Sequence, residues 1–213
     1  VDYILQKDFN LSSGLADFSK LPNGKHRVQI LDPAAGTGTF ITEVIKNIHL
    51  KFTGDQRGRW PKYVFHDLLP RLHGFEIMMA PYTIAHLKLS MVLKDTGFKY
   101  FNDSRLGIYL TNSLEESHIK EDLFGSEIGF AGSIAEESRE ASKIKSQTPI
   151  MVVIGNPPYS GESSNVFYIG NGVYKTEPNG GTLQERNSKW LNDDYVKFIR
   201  FAESMIETTN EGI

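Results

Sequence analysis

Two short stretches of the sequence carry residue types that could do chemistry. The first is VVIGNPPYSG, Val152 to Gly161, in which an apolar run ends in Asn156-Pro157-Pro158-Tyr159. An asparagine side chain offers one carbonyl acceptor and one amide donor. Both prolines have fixed φ and no N–H, and Pro158 keeps Pro157 out of the helical region. The result is a stiff, extended turn whose carbonyls no helix absorbs. The Asn156 side-chain oxygen and the Pro157 carbonyl can then present two acceptors side by side. An exocyclic NH₂ has two hydrogens to give, and Tyr159 can lie flat against a planar ring. The stretch therefore reads as a clamp for a flat amine or amide. A proline-rich turn that merely ends a strand explains the prolines, but not their ordered pairing with Asn and Tyr.

The second stretch is LDPAAGTGTF, Leu31 to Phe40. Gly36 and Gly38 permit positive φ and close approach of a ligand to the backbone. A helix begins just after, so its free N–H groups face that ligand. A dinucleotide binder would use G-x-G-x-x-G here to seat a pyrophosphate. This loop lacks the third glycine and carries Phe40, and it holds an acid, Asp32, at its mouth. A carboxylate suits a cationic ligand better than a pyrophosphate. The alternative is a tight strand-to-helix turn with no ligand.

These stretches need elements to position them. Val1, Ile4 and Leu5 sit at helical spacing, and Leu21 to Gly24 is a turn. Val28 to Leu31 is a short strand. Phe40, Ile41, Val44, Ile45 and Ile48 repeat as one face of a helix, broken by Gly54 to Pro61. Tyr63 to Leu72 is a short helix and Leu72 to Ile77 a second strand, ending at Glu76. Pro81 opens a helix with Ile84, Leu87 and Met91 on one face, closed by Gly97. Leu106 to Leu110 is a third strand, ending at Thr111-Asn112. Gly132 to Lys145 is a surface-lying helix. Ile150 to Ile154 is a fourth strand, apolar on both faces as a central parallel strand should be. Ser160 to Ser188, rich in Gly, Asn and Ser, reads as a mobile loop. Tyr195, Phe198, Ile199, Ala202 and Ile206 form a last amphipathic helix.

Strands alternating with helices predict an α/β, doubly wound parallel sheet. In such sheets ligands bind beyond the carboxyl ends of the strands. Asp32 to Gly38, Glu76, Asn112 and Asn156 all fall at those ends. An acid there, such as Glu76, is the usual partner of ribose hydroxyls, although it lies further from the loop than the roughly 20 residues of the dinucleotide fingerprint. The segment from Phe52 to Leu72 must account for the excess. Asn112 could bind an adenine edge or simply cap the turn before Leu114.

With 213 residues, 39% of them hydrophobic, the chain suffices for one well-cored domain. No apolar run approaches the roughly 20 residues needed to span a membrane. There are no cysteines, hence no disulfide framework and no thiolate metal site, which fits a reducing cytoplasm. The histidines, including His66, His73 and His86, lack ligand-like spacing. The net charge of −3 is awkward for a nucleic-acid binder, because a phosphate backbone rewards a basic surface.

DPAAGTGTF resembles the S-adenosylmethionine-binding motif of N6-adenine DNA methyltransferases, and NPPY resembles their catalytic motif, in the gamma-type order. GFEIMMAPYTIAHLKL, and IGNPPYSG followed by YVKFIRFAE, are similar to the methyltransferase part of Type ISP-like or Type IIG-like restriction-modification enzymes. The resemblance thins over Lys120 to Ser146 and Ser160 to Ser188. It implies a Rossmann-like doubly wound sheet of the S-adenosylmethionine-dependent methyltransferase type, incomplete at both ends. It also implies that Asp32, Ala34, Gly36, Gly38 and Phe40 form the cofactor loop. Glu76 would bind the cofactor's ribose, Ile77 would lie against its adenine, and Asn112 would read the adenine amine. Asn156 and Pro157 would bind N6 of the target adenine, Pro158 would stiffen the turn, and Tyr159 would stack on the base. No metal is required.

NPPY is shared with glutamine N5-methyltransferases and some RNA methyltransferases, so those substrates, and a non-catalytic cofactor- and DNA-binding module, are the competing readings. The resemblance also answers the charge objection. The family's first cofactor motif would precede Val1, a further strand would begin at Glu211-Gly212-Ile213, and a sequence-reading domain would lie beyond. Duplex DNA would then be gripped mainly by parts outside this chain. Within Ser160 to Ser188 and its border, Lys175, Arg186 and Lys189 are offset by Glu162, Glu177 and Glu185. Residues 1–213 alone are expected to have little activity.

Overall fold

The computed structural model describes residues 1–99, 105–115, 130–159, 165, 169–184 and 191–213. Among these, four strands pair in parallel: β1 (Gln29–Asp32), β2 (Leu72–Glu76), β3 (Ile108–Leu110) and β4 (Ile150–Val153). Their order is β3-β2-β1-β4. The chain steps outward from β1 to β2 to β3, then crosses back to place β4 on the other side of β1. This makes the gap between β1 and β4 the topological switch point, where open α/β sheets bind ligands.

Successive strand residues point to opposite faces, and two apolar clusters result. One face joins Ile30 and Ile108 to Leu5 of α1 (Asp2–Lys7), to Ile41, Ile45 and Ile48 of α2 (Thr39–His49) and to Ala85, Leu89 and Leu93 of α4 (Met79–Asp95). The other joins Leu31, Phe75 and Tyr109 to Ala141 of α5 (Phe130–Gln147) and to Phe201 and Met205 of α6 (Asp194–Glu207). Both faces of the strands are covered, as parallel sheets require. Alongside β4, Ile213 donates its N–H to Met151 O at 2.9 Å and accepts from Val153 N at 2.8 Å, in the manner of a neighbouring strand.

The segment from Phe52 to Leu72 packs rather than loops. Three-ten turns flank a short helix, α3 (Trp60–Tyr63), and a π-turn, Val64–Leu68. Trp60 and Tyr63 are buried against Phe52. At its end Arg71, fully buried, donates to the carbonyls of Asp67, Val28 and Leu15 and to the Tyr63 hydroxyl.

Two helix faces differ from expectation. On α4, which starts at Met79, the buried line is Ala85, Leu89 and Leu93, while Ile84, Leu87 and Met91 are exposed. Both lines satisfy the helical period. The close approach of α2 decides between them: a Cβ on Gly38 would sit 3.3 Å from the Ala85 Cβ. On α6 the deepest apolar residues are Phe201 and Met205, and Ile199 is exposed. Of the long stretch read as a mobile loop, most of 160–168 and all of 185–188 lie outside the described residues. Residues 169–175 form a three-ten segment, and a bridge between Thr176 and Thr182 closes a tight turn.

Candidate active site

The carboxyl ends of the four strands align. Leu31 is in register with His73 and with Val153, and Glu76 with Leu110. Asp32, Glu76, Asn112 and Asn156 therefore stand along one edge of the sheet, as the sequence predicts.

The Gly-rich loop leaves β1 and is tied down by β2. Ala35 N donates to Phe75 O at 2.8 Å. Gly36 N donates to Glu76 Oε2 at 2.8 Å, and Met78 N donates to Glu76 Oε1 at 2.8 Å. Both glycines have positive φ, 53° at Gly36 and 74° at Gly38, which only glycine adopts without cost. Among the described residues, a Cβ on Gly36 would meet nothing within 4 Å, so they leave that side of the loop open. Gly38 is the N-cap of α2 and offers no side-chain cap, leaving the first N–H groups of the helix to other partners. Phe40, in the first turn of α2, and Ile77, just after β2, are exposed.

Asp32 is fully buried. Its Oδ1 accepts from Ala34 N at 3.1 Å, and its Oδ2 has no hydrogen-bond partner among the described residues. Burial pushes its carboxyl up to about 7. The Ala34 N–H opposes that shift, and the negative charge of Glu76 adds to it. An orphaned buried carboxylate oxygen at the mouth of an open loop fits a cationic ligand, whose charge would satisfy it.

β4 ends directly beside Asp32. A Cβ on Gly155 would lie 2.7 Å from Asp32 Oδ1 and 3.3 Å from Pro33 Cδ, so only glycine lets the two strand exits come this close. The next residue, Asn156, is exposed; Pro157 is half-buried, and Pro158 and Tyr159 are exposed. The Tyr159 hydroxyl donates to Asn156 Oδ1 at 3.1 Å. Asn112 caps its own turn: Oδ1 accepts from Leu114 N at 3.0 Å, while Nδ2 donates to Asn165 Oδ1 at 2.7 Å.

Sequence reasoning missed the residues that hold these groups in place. Asn165 Nδ2 reaches Asp194 Oδ2 at 3.1 Å, which joins the β3 exit to the start of α6. Lys145 donates to the carbonyls of Asn112 and Glu115 at 2.7 and 2.9 Å, and burial lowers its pKa to about 8. Tyr195, read from the sequence as one more apolar position of the last helix, stacks on Tyr159. Only the Gly before Asn156 carried a signal, as a small residue at a strand end. The rest depend on long-range contacts.

Fold and site together define a Rossmann-like α/β domain with a Gly-rich loop and an Asn-Pro-Pro-Tyr turn on adjacent strands. The family model for N-6 DNA methylases matches residues 15–196, and the chain belongs to that family. No curated protein matches the chain. Among solved structures, the DrdV–DNA complex has a TM-score of 0.63 at 28% identity, covering 97% of this chain and 18% of that one. The ATP-dependent Type ISP restriction-modification enzyme LlaBIII, bound to DNA, has a TM-score of 0.63 at 21% identity, covering 97% and 13%. A nuclease-deletion mutant of the Type ISP enzyme LlaGI, with a DNA substrate mimic, has a TM-score of 0.62 at 23% identity, covering 97% and 18%. The chain thus spans less than a fifth of each of these proteins.

Proposed function

We propose that this domain transfers a methyl group from S-adenosylmethionine to N6 of an adenine extruded from duplex DNA, as the modification part of a restriction-modification protein. The observation that carries the reading is adjacency. Asp32 and the Gly-rich loop leave β1, the Asn156 clamp leaves β4, and Gly155 brings the two exits into contact. The family membership and the DNA complexes of similar fold support it.

When bound, S-adenosylmethionine supplies a methyl group already activated on a positively charged sulfur. Asp32 receives the cationic end of that ligand, with the Ala34, Gly36 and Gly38 backbone around it. Glu76 keeps spare lone pairs on both carboxylate oxygens for ribose hydroxyls, and Phe40 and Ile77 offer exposed apolar surface to the cofactor's adenine. Asn112 Oδ1 has one lone pair left for that adenine's amine. On the acceptor side, N6 of adenine is a poor nucleophile because its lone pair is delocalised into the ring. Asn156 Oδ1 and the Pro157 carbonyl accept its two hydrogens, favour a pyramidal nitrogen and stabilise the positive charge that develops there. Tyr159 stacks on the extruded base and offsets part of the unstacking cost. In-line positioning does most of the rest.

The test is transfer of tritium from labelled S-adenosylmethionine by the intact protein, offered duplex DNA, RNA and protein in parallel. Label confined to DNA is expected. Label in RNA or in a protein glutamine would overturn the substrate assignment, and none in any of them, with the ligand still bound, would favour a binding module.

A further inference from the structure

The aromatic ring of the clamp does not stand alone. Tyr159 and Tyr195 lie with ring centroids 5.0 Å apart and planes 21° from parallel, an offset stack. Tyr195 is the second residue of α6, and its N–H is received by the Asp193 carboxylate at 2.8 Å as the helix cap. Further along, α6 is anchored by buried Phe201 and Met205 in the cluster that covers β4. At its first residue, Asp194, the Asn165 bridge fastens it to the β3 exit. Tyr195 therefore sits on a fixed element, half-buried, while Tyr159 sits on a short turn and is 74% exposed. A ring has two faces. With Tyr195 on one, the exposure of Tyr159 belongs to the other.

We propose that Tyr195 is a positioning residue that backs the Tyr159 ring, so that an extruded base completes a three-layer stack of base, Tyr159 and Tyr195. The same contact fixes where the Tyr159 hydroxyl falls, which is at Asn156 Oδ1, the acceptor the base amine must use. The inference rests on the reading of Tyr159 as the base-stacking residue. Without its backing, Tyr159 loses the offset-stacked geometry that aromatic pairs favour and must be ordered anew by each incoming base.

The experiment uses the intact protein and three variants, Tyr195→Ala, Tyr195→Phe and Tyr195→Leu. Readouts are kcat, the KM for DNA, the affinity for S-adenosylmethionine by calorimetry, and fluorescence of 2-aminopurine at the target position, which brightens when the base leaves the stack. Tyr195→Ala and Tyr195→Leu should each lower the flipping signal and kcat/KM for DNA roughly three- to tenfold, with cofactor affinity unchanged. Tyr195→Phe should behave as the wild type, because the ring is what matters. Rescue by Leu would show that only bulk is needed and would overturn the proposal. So would an unchanged flipping signal in Tyr195→Ala, or a parallel loss of cofactor affinity in every variant. If the wild type itself transfers no methyl group to DNA, it is the underlying reading that fails.

Discussion

At the scale of single residues, Asp32 is the most unusual group in the domain. Its carboxyl is raised from 3.8 to about 7 by burial. A raised acid binds its proton more tightly in the folded than in the unfolded chain. The stability of the ligand-free domain therefore declines as pH rises through the window from about 4 to about 7. A cationic ligand has the opposite preference, since it needs the ionised form. Calorimetry of S-adenosylmethionine binding should show affinity rising about tenfold between about pH 6 and pH 8, and Asp32→Asn should bind weakly with a flat profile. A flat profile in the wild type would mean that Asp32 does not face the cation. Asp32 and the Asn156 turn were legible in the sequence because their chemistry is local: an acid before glycines, an amide before prolines. Asn165, Lys145 and Tyr195 were not, because each acts through a partner distant in sequence, and none has a type or spacing that announces it.

At the scale of elements, the strands read well from the sequence because buried parallel strands are short, apolar and bounded by Gly, Pro or Asn. The helices read well in extent and less well in orientation. α4 is apolar on more than one side, so period alone cannot choose between the Ile84 and Ala85 lines. The choice rests on Gly38 meeting Ala85, a contact between helices. The segment before β2 was legible only as a helix and a break. Its organiser is Arg71, which gathers the carbonyls of Leu15, Val28 and Asp67 at one buried point. Replacing it leaves those acceptors dry. Arg71→Leu should destabilise the fold by about 3 kcal/mol, read by urea unfolding. Methyl transfer by the surviving folded fraction should be little changed, because the substitution lies at the opposite ends of the strands from Asp32 and Asn156.

At the scale of the whole molecule, the net charge of −3 makes residues 1–213 a poor electrostatic partner for DNA. The chain's small share of the DNA-bound proteins it resembles is consistent with the phosphate grip lying elsewhere. Residues 1–213 alone should bind a duplex weakly in an anisotropy titration, while the intact protein should bind tightly with a steep salt dependence. Tight binding by this segment alone would place the grip here after all. The central proposal is that the Asn156 turn clamps N6 of adenine, and the product of that reaction is chemically specific. The most direct test is nucleoside analysis, by mass spectrometry, of duplex DNA treated with the intact protein and S-adenosylmethionine, with Asn156→Ala beside the wild type. The wild type should yield N6-methyladenine and, with one acceptor removed, the variant should do so at a rate lower on the order of a hundredfold or more. Methylation at another base, or N6-methyladenine formed equally fast by Asn156→Ala, would refute the clamp.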